Sequence, residues 1–281
     1  MKKEPVIIRS PGAMGRWSAG LKGTLGFIPT LGSLHQGHVS LIERACREND
    51  VVAVSVFVNP LQFTPEGFRK YPRNLAADAK IAASAGASVI FAPSAAQMYP
   101  AGFQSQIVLP RLFAALKRQN LEWHYRGVLQ VVMKLLQIVL PDRVYFGLKD
   151  PHQLALIERM AADFNLPIEI RPCPTVRERD GLSRSSRNAL LTPEERTAAP
   201  VIYRSLCGAK KALREGKSPA LAMRILKKEV MAEPLARLEY AEIVDPSTFL
   251  PVRQGVSEVL VYAAVWIGEK RLADNIRFRL K

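Results

Sequence analysis

Residues 51–58 read Val-Val-Ala-Val-Ser-Val-Phe-Val. An almost unbroken β-branched run of this length suits a strand buried on both faces, because neither side of its pleat carries a row of polar residues. Such strands belong to parallel sheets covered by helices on both sides. The surrounding chain repeats the theme. Thr24-Leu25-Gly26-Phe27-Ile28 is a short apolar run, followed by His38, Leu41, Ile42 and Ala45 at the spacing of a helix face. A helix over roughly 74–85 leads into Ala87-Ser88-Val89-Ile90-Phe91. Residues 128–139 are apolar along most of their length and predict a buried helix. Arg143-Val144-Tyr145-Phe146 is another strand, and Pro151 stands where a helix to about Phe164 begins. Pro167-Ile168-Glu169-Ile170 is a further strand. Alternation of this kind predicts an α/β, Rossmann-like, doubly wound parallel sheet.

The pattern changes near residue 175, which sets expected domains of 1–174 and 175–281. Thr192-Pro193-Glu194-Glu195 carries a cap, a first-turn proline and a capping-box glutamate. Ser218-Pro219 starts a second helix. Residues 238–244, 259–267 and 271–278 then read as strands, the last two joined by Gly268-Glu269-Lys270. The expectation is a smaller α+β unit with an antiparallel sheet.

Several function classes drop out. No apolar run approaches the roughly 18–20 residues of a membrane span. The start, Met1-Lys2-Lys3-Glu4-Pro5, lacks the apolar stretch of a secretory signal. Cys46, Cys173 and Cys207 are scattered and fit neither a disulfide framework nor zinc spacing, so a cytoplasmic location is expected. There is no G-x-G-x-x-G and no P-loop. The net charge of +15 is spread along the chain without a like-charge block, which reads as a basic surface rather than a nucleic-acid site.

Chemistry gathers at expected strand ends, where open α/β sheets bind ligands. Pro29-Thr30-Leu31-Gly32-Ser33-Leu34-His35-Gln36-Gly37-His38 joins a strand to a helix start, a place with unpaired N–H groups and positive dipole. Two imidazoles there add donors for phosphate, and Gly37 allows close approach. Phe57-Val58-Asn59-Pro60-Leu61-Gln62-Phe63 puts two amides at the next strand end. Tyr71-Pro72-Arg73-Asn74-Leu75 follows, with Asp78 on the next helix. His124-Tyr125-Arg126-Gly127 opens the long buried helix, and Phe146-Gly147-Leu148-Lys149-Asp150 with Gln153 closes a strand. Residues 175–188 form a polar loop of hydroxyls and guanidinium groups suited to a triphosphate.

Taken together, these segments resemble the pantothenate synthetase (pantoate–β-alanine ligase) family, within the H-x-G-H nucleotidyl transferases, over residues 24–278. The motifs are P-T-x-G-x-L-H-x-G-H, F-V-N-P-x-Q-F, Y-P-R, F-G-x-K-D and D-G-L-x-x-S-S-R-N in this order; Asp245-Pro246 and Asp274-Asn275-Ile276-Arg277 also look like the family. The resemblance implies a nucleotidyl-transferase-type fold and ATP-dependent condensation of pantoate with β-alanine through pantoyl adenylate, releasing pyrophosphate and AMP. It implies His35, His38, Lys149 and Arg187 as catalytic residues. ATP would be bound by Leu31, Gly37, His38, Gly147, Lys149, Asp150, Val176, Ser185, Ser186 and Arg187. Gln62 and Gln153 would hold pantoate, with Asn59 and His124 on the amine side. Magnesium is expected with the phosphates, its ligand unassigned but with Asp78 a candidate. A homodimer is expected, with small-molecule substrates and no membrane. His38 and Arg187 are expected to line one cleft.

The chain departs from the family pattern at Leu31, Ser33 and Gln36, at Leu121-Glu122-Trp123, at Leu148, at Pro151-His152, and at Arg179 and Arg184. The Leu121–Trp123 change removes an arginine from the amine side; Arg126 could replace it. Three readings follow: an ordinary member of the family, a relative using another amine or acid, and a non-catalytic nucleotide- or nucleic-acid-binding homologue. The intact H-x-G-H, K-D and S-S-R-N motifs oppose the last.

Overall fold

The computed structural model describes residues 4–116, 122–253 and 255–280, with the side chains of Leu116, Ser186 and Arg187 outside the description. The chain divides into two compact units: Met1–Gly147 with His152–Cys173, and Leu148–Pro151 with Pro174–Lys281.

The first unit is built on a parallel sheet of β1 (Val6–Ile8), β2 (Leu25–Thr30), β3 (Val51–Val56), β4 (Val89–Phe91), β5 (Arg143–Gly147) and β6 (Glu169–Cys173). The order across the sheet is β1-β4-β3-β2-β5-β6. Paired registers run Leu25↔Val51 through Thr30↔Val56 and Gly26↔Arg143. After β2 the chain moves to β3 on one side, and later to β5 on the other. The boundary of β2 and β5 is therefore the switch point at which such sheets bind ligands. The run at 51–58 becomes β3, and its interior residues are buried as its composition requires. Ile28, Val54, Ile90 and Tyr145 of the sheet pack with Ile42 and Ala45 of α2 (Gln36–Glu48) and Ala82 of α4 (Leu75–Ala85). The shorter helices α3 (Pro65–Lys70), α5 (Ala95–Met98) and α6 (Pro110–Leu116) fill the connections. The long apolar stretch forms α7 (Glu122–Val139), longer by one and a half turns than the apolar pattern implies, because its first turn is polar. It is followed by α8 (Pro151–Asp163).

The sequence reading holds no helix at α3, α5 or α6, and it also misses β1 and α1. β1 is three residues long with two of them exposed, so it shows no periodicity. α1 (Pro11–Ala19) carries Gly12 and Gly15, poor helix formers, and is held by a Ser10 cap on the Ala13 N–H.

In the second unit, α9 (Pro193–Ala198), α10 (Val201–Arg214) and α11 (Pro219–Met231) precede the antiparallel β7 (Ala236–Val244), β8 (Glu258–Ile267) and β9 (Lys270–Arg279). Thr192 and Glu195 form the expected capping box, and Ser218 caps α11. Leu206 and Leu226 of the helices pack on Val259, Val261 and Val265 of β8.

Candidate active site

The loop after β2 is shaped by a single buried carboxylate. Gly32 and Ser33 both take left-handed backbone, with φ of 85° and 56°. Ser33 has a Cβ, so that conformation is strained and needs support. Asp78, in the first turn of α4, supplies it by accepting from the Ser33 N–H at 3.1 Å and the Leu34 N–H at 2.7 Å. A Cβ on Gly32 would lie 2.9 Å from Asp78 Oδ2. Thr30 completes the brace: its hydroxyl donates to the Ser55 carbonyl at 2.6 Å and accepts from the Gly32 N–H at 3.0 Å. Asp78 thus braces this loop. Among the described residues no group of three or more His, Cys, Asp or Glu is placed to hold a metal.

The loop delivers His35 to the cap position of α2. Its Nδ1 accepts from the Gly37 N–H at 3.0 Å, and Nδ1 of His38 accepts from the His35 N–H at 3.2 Å. The two rings thereby form a reciprocal capping box, with centroids 4.2 Å apart. An imidazole that accepts at Nδ1 carries its proton on Nε2. The motif therefore fixes both tautomers with Nε2–H as donor, at the positive end of a 13-residue helix. Gly37 has a structural reason as well: a Cβ there would stand 2.8 Å from the His35 ring.

Leu31, His38, Gln62 and Gln153 line one cavity of about 210 Å³, with Thr30, Gly32, Phe57, Tyr71 and Phe146. Its far wall is apolar, made by Val128, Val131, Val132 and Leu135 of α7. The cavity sits at the carboxyl ends of β2, β3 and β5, at the switch point.

Gln62 closes a short 3₁₀ turn, Pro60–Gln62, and Asn59 caps that turn. Asn59 is fully buried, and every bond its amide can make is used. Its Oδ1 accepts from the Leu61 N–H at 3.2 Å and the Tyr99 hydroxyl at 2.9 Å. Its Nδ2 donates to the Gly127 carbonyl at 3.0 Å and to Gln62 Oε1 at 2.9 Å. The Leu61 N–H and the Gly127 carbonyl are backbone groups of fixed polarity, so they determine which way the Asn59 amide faces. Asn59 then determines Gln62, whose Oε1 turns to Asn59 and whose Nε2 is the end left to serve as donor. Burial pushes the Tyr99 phenol far above its usual range, which keeps it a donor. Asn59 was expected on the amine side; in this structure all four bonds of its amide are made within the protein, one of them to Gln62.

Helix α7 presses on this turn. Gly127 lies so close that a Cβ would collide with the Leu61 carbonyl. Nδ1 of His124 meets the Gln62 carbonyl at 2.9 Å, which requires Nδ1–H and leaves Nε2 the basic atom of the neutral ring. Trp123 is 45% exposed. Arg126 is tied to Glu122, Nη2 to Oε1 at 2.6 Å, so its guanidinium is already engaged. Leu121 lies outside the described residues.

In the second unit, Lys149 Nζ donates to the Arg184 carbonyl. The Arg184 N–H bonds the Val176 carbonyl at 2.9 Å, and Arg177 bridges Ser183, so residues 176–184 fold back on themselves. Lys149, Ser183, Ser185 and Asp274 line a small cavity of about 30 Å³. Ser186 and Arg187 begin the 3₁₀ segment Ser186–Leu190; their side chains lie outside the described atoms. Arg184 pairs with Glu178 at 3.0 Å. Gly147 ends β5, and Asp150 lies in the turn that follows it.

Comparison with known proteins agrees with the motif set. The family model described as pantoate-beta-alanine ligase matches residues 6–277. A pantothenate synthetase of Heliobacterium modesticaldum is 46% identical over 271 residues, covering 96% of each chain. One from Geobacillus thermodenitrificans is 46% identical over 259 residues, 92% of this chain and 90% of that one. Among solved structures, pantothenate synthetase from Thermus thermophilus superposes with a TM-score of 0.85 at 41% identity, covering 96% of this chain and 98% of that chain. Pantoate-beta-alanine ligase from Francisella tularensis, complexed with beta-gamma ATP and beta-alanine, gives 0.72 at 34% identity over 97% of both.

Proposed function

The chain belongs to the pantoate–β-alanine ligase family, which condenses pantoate and β-alanine with ATP, and we propose that it does so in two steps through a pantoyl adenylate. In the first step a pantoate carboxylate oxygen attacks the α-phosphorus and pyrophosphate leaves. In the second the β-alanine nitrogen attacks the acyl carbon, AMP leaves and the nitrogen loses a proton. No enzymic nucleophile is needed, because the acid is its own nucleophile. The protein's task is placement and charge stabilisation.

The observation that carries this reading is the cavity at the switch point, where Gln62 and Gln153 face a wall of α7 valines. Pantoate has a carboxylate, two hydroxyls and a pair of geminal methyls. The polarity imposed on Gln62 suits an anionic or hydroxyl oxygen, and the valines suit the methyls. The Nε2–H groups of His35 and His38, at the start of α2, suit phosphate oxygens. Leu31 and Gly37 would allow ATP to approach that helix start. Lys149, Ser185, Ser186 and Arg187 are proposed for phosphate, with Gly147, Asp150 and Val176 for the nucleoside. His124, with Nε2 basic, is proposed to receive the proton that the amine gives up. Magnesium would arrive bound to the triphosphate.

ATP–pyrophosphate exchange tests the mechanism. Exchange is expected with pantoate alone, and AMP with pantothenate only after β-alanine is added; exchange that requires β-alanine would rule out a free-standing first step. His38→Ala should lower exchange by about 10²–10³, the scale for loss of one charge-stabilising donor. A cytoplasmic homodimer is also proposed from the family resemblance, to be checked by light scattering of the purified chain. No helix among the described residues is long and apolar enough to cross a membrane.

A further inference from the structure

The Asp274-Asn275 pair has no part in the chemistry above, yet both side chains are buried, at 5% and 4% exposure, in a strand that otherwise packs apolar residues. Buried polar groups are costly unless bonded, so each must have partners. The main chain of Asn275 pairs with Tyr262 of β8 in ordinary register, so the strand itself does not need the amide side chain. That amide reaches instead to the turn after β5. Nδ2 donates to the Leu148 carbonyl at 3.0 Å and to the Lys149 carbonyl at 3.1 Å. A turn of this kind leaves its carbonyls without a ladder partner, and a primary amide is the side chain that brings two N–H groups on one atom.

Asp274 and Arg177 hold the other half of the arrangement. The guanidinium grips the Asp274 carboxylate at 2.5 and 3.1 Å and donates to the Asn275 carbonyl at 3.1 Å and the Gly181 carbonyl at 3.0 Å. It also lies 3.9 Å from the centre of the Tyr203 ring. Arg177 thus ties the hydroxyl-rich loop to β9, and Asn275 ties the Lys149 turn to the same strand. The Lys149 ammonium meets the Arg184 carbonyl of that loop, which closes the frame.

We propose that Asn275 is a positioning residue for the first step: its amide sets the main chain of Leu148–Lys149 and so fixes where the Lys149 ammonium stands against phosphate. The Asp274–Arg177 pair holds Asn275 and the Ser185 loop on one strand, so cation and hydroxyls share one support. The proposal rests on the reading of Lys149 as a phosphate-neutralising residue.

The test is a double-mutant cycle on the full chain, read by ATP–pyrophosphate exchange with pantoate and by thermal unfolding. Lys149→Ala should lower exchange by about 10²–10³. Asn275→Ala should lower kcat/KM for ATP about tenfold, the scale of one or two neutral hydrogen bonds, with the KM for pantoate unchanged. The double variant should be no slower than Lys149→Ala alone, because a misplaced lysine cannot matter once the lysine is gone. Asn275→Asp should be slower than Asn275→Ala, since it sets a carboxylate against two carbonyl oxygens. Asn275→Ser, which keeps one donor, runs the same cycle if the alanine variant does not fold. Full additivity of the two losses, or wild-type kinetics in Asn275→Ala, overturns the proposal. Wild-type kinetics in Lys149→Ala would overturn the reading of the lysine instead, and the two failures are distinguishable.

Discussion

Two buried asparagines, Asn59 in the first unit and Asn275 in the second, do opposite things with the same amide. Asn59 is itself oriented by backbone, the Leu61 N–H and the Gly127 carbonyl, and passes that orientation to another side chain, Gln62. Asn275 sits on a regular strand and passes its position to backbone, the carbonyls of Leu148 and Lys149. The first arrangement sets which end of a dipole meets the substrate, so its loss should show in affinity for the acid. The second holds the main chain at Lys149, so under the proposal above its loss should show in the phosphate chemistry. Burial makes both demanding, because an unpaired amide in either place costs more than the bond it would have made.

The comparison can be broken most severely at Gly127. A Cβ there meets the Leu61 carbonyl, so Gly127→Ala must push the Asn59 turn off α7. A destabilisation of about 3 kcal/mol is expected, with pantoate binding lost, while the loop at 176–184 of the second unit has no reason to change. Calorimetry and pantoate titration measure both; an unchanged melting temperature would mean that the helix yields where the geometry says it cannot. Next comes Asn59→Asp, which cannot donate to Gln62 Oε1. The Gln62 amide should turn over, raising the KM for pantoate by about 10- to 100-fold at constant KM for ATP. Equal changes in both constants would erase the distinction between the two asparagines. Tyr99→Phe removes one of four bonds to Asn59, and a rise of about fivefold in the KM for pantoate is expected from a bond worth about 1 kcal/mol. Smallest is Glu122→Gln. It loosens a half-exposed ion pair with a stability effect below about 1 kcal/mol, and it frees Arg126. If Arg126 can serve the β-alanine carboxylate, the KM for that amine falls; an unchanged KM removes Arg126 from consideration.

The inner strands β2 to β5 were legible because they are short apolar runs bounded by strong helix signals, whereas β1 was missed and β6, expected at 167–170, runs Glu169–Cys173. Val51–Val56 and the Thr192 and Ser218 caps carry their meaning within a few residues. Leu31, His38, Gln62 and Gln153 share a cavity because each follows a strand end, and strand ends were readable. What escaped depends on partners distant in sequence. Asp78 is 45 residues from Ser33, and nothing in a first-turn aspartate announces that it holds another loop. Asn59 looked available because capacity is invisible in sequence: only the Tyr99, Gly127 and Gln62 contacts show that its amide is used up. The Asp274-Asn275 pair was noticed as part of a pattern, but its reach to Leu148 spans 127 residues and no local spacing encodes that.

The grouping of Leu148–Pro151 with Pro174–Lys281 bears on how the protein can be divided. Neither unit is one continuous stretch of gene. A fragment beginning at residue 174 would keep β9 but leave the amide of Asn275 without its Leu148 and Lys149 carbonyls, and a fragment ending at residue 173 would carry Lys149 away from that strand. A single crossover near residue 174 would leave the short segment at 148–151 with the first unit's stretch of sequence and so divide the second unit. The surroundings of Lys149 are thus built from two separate stretches of sequence.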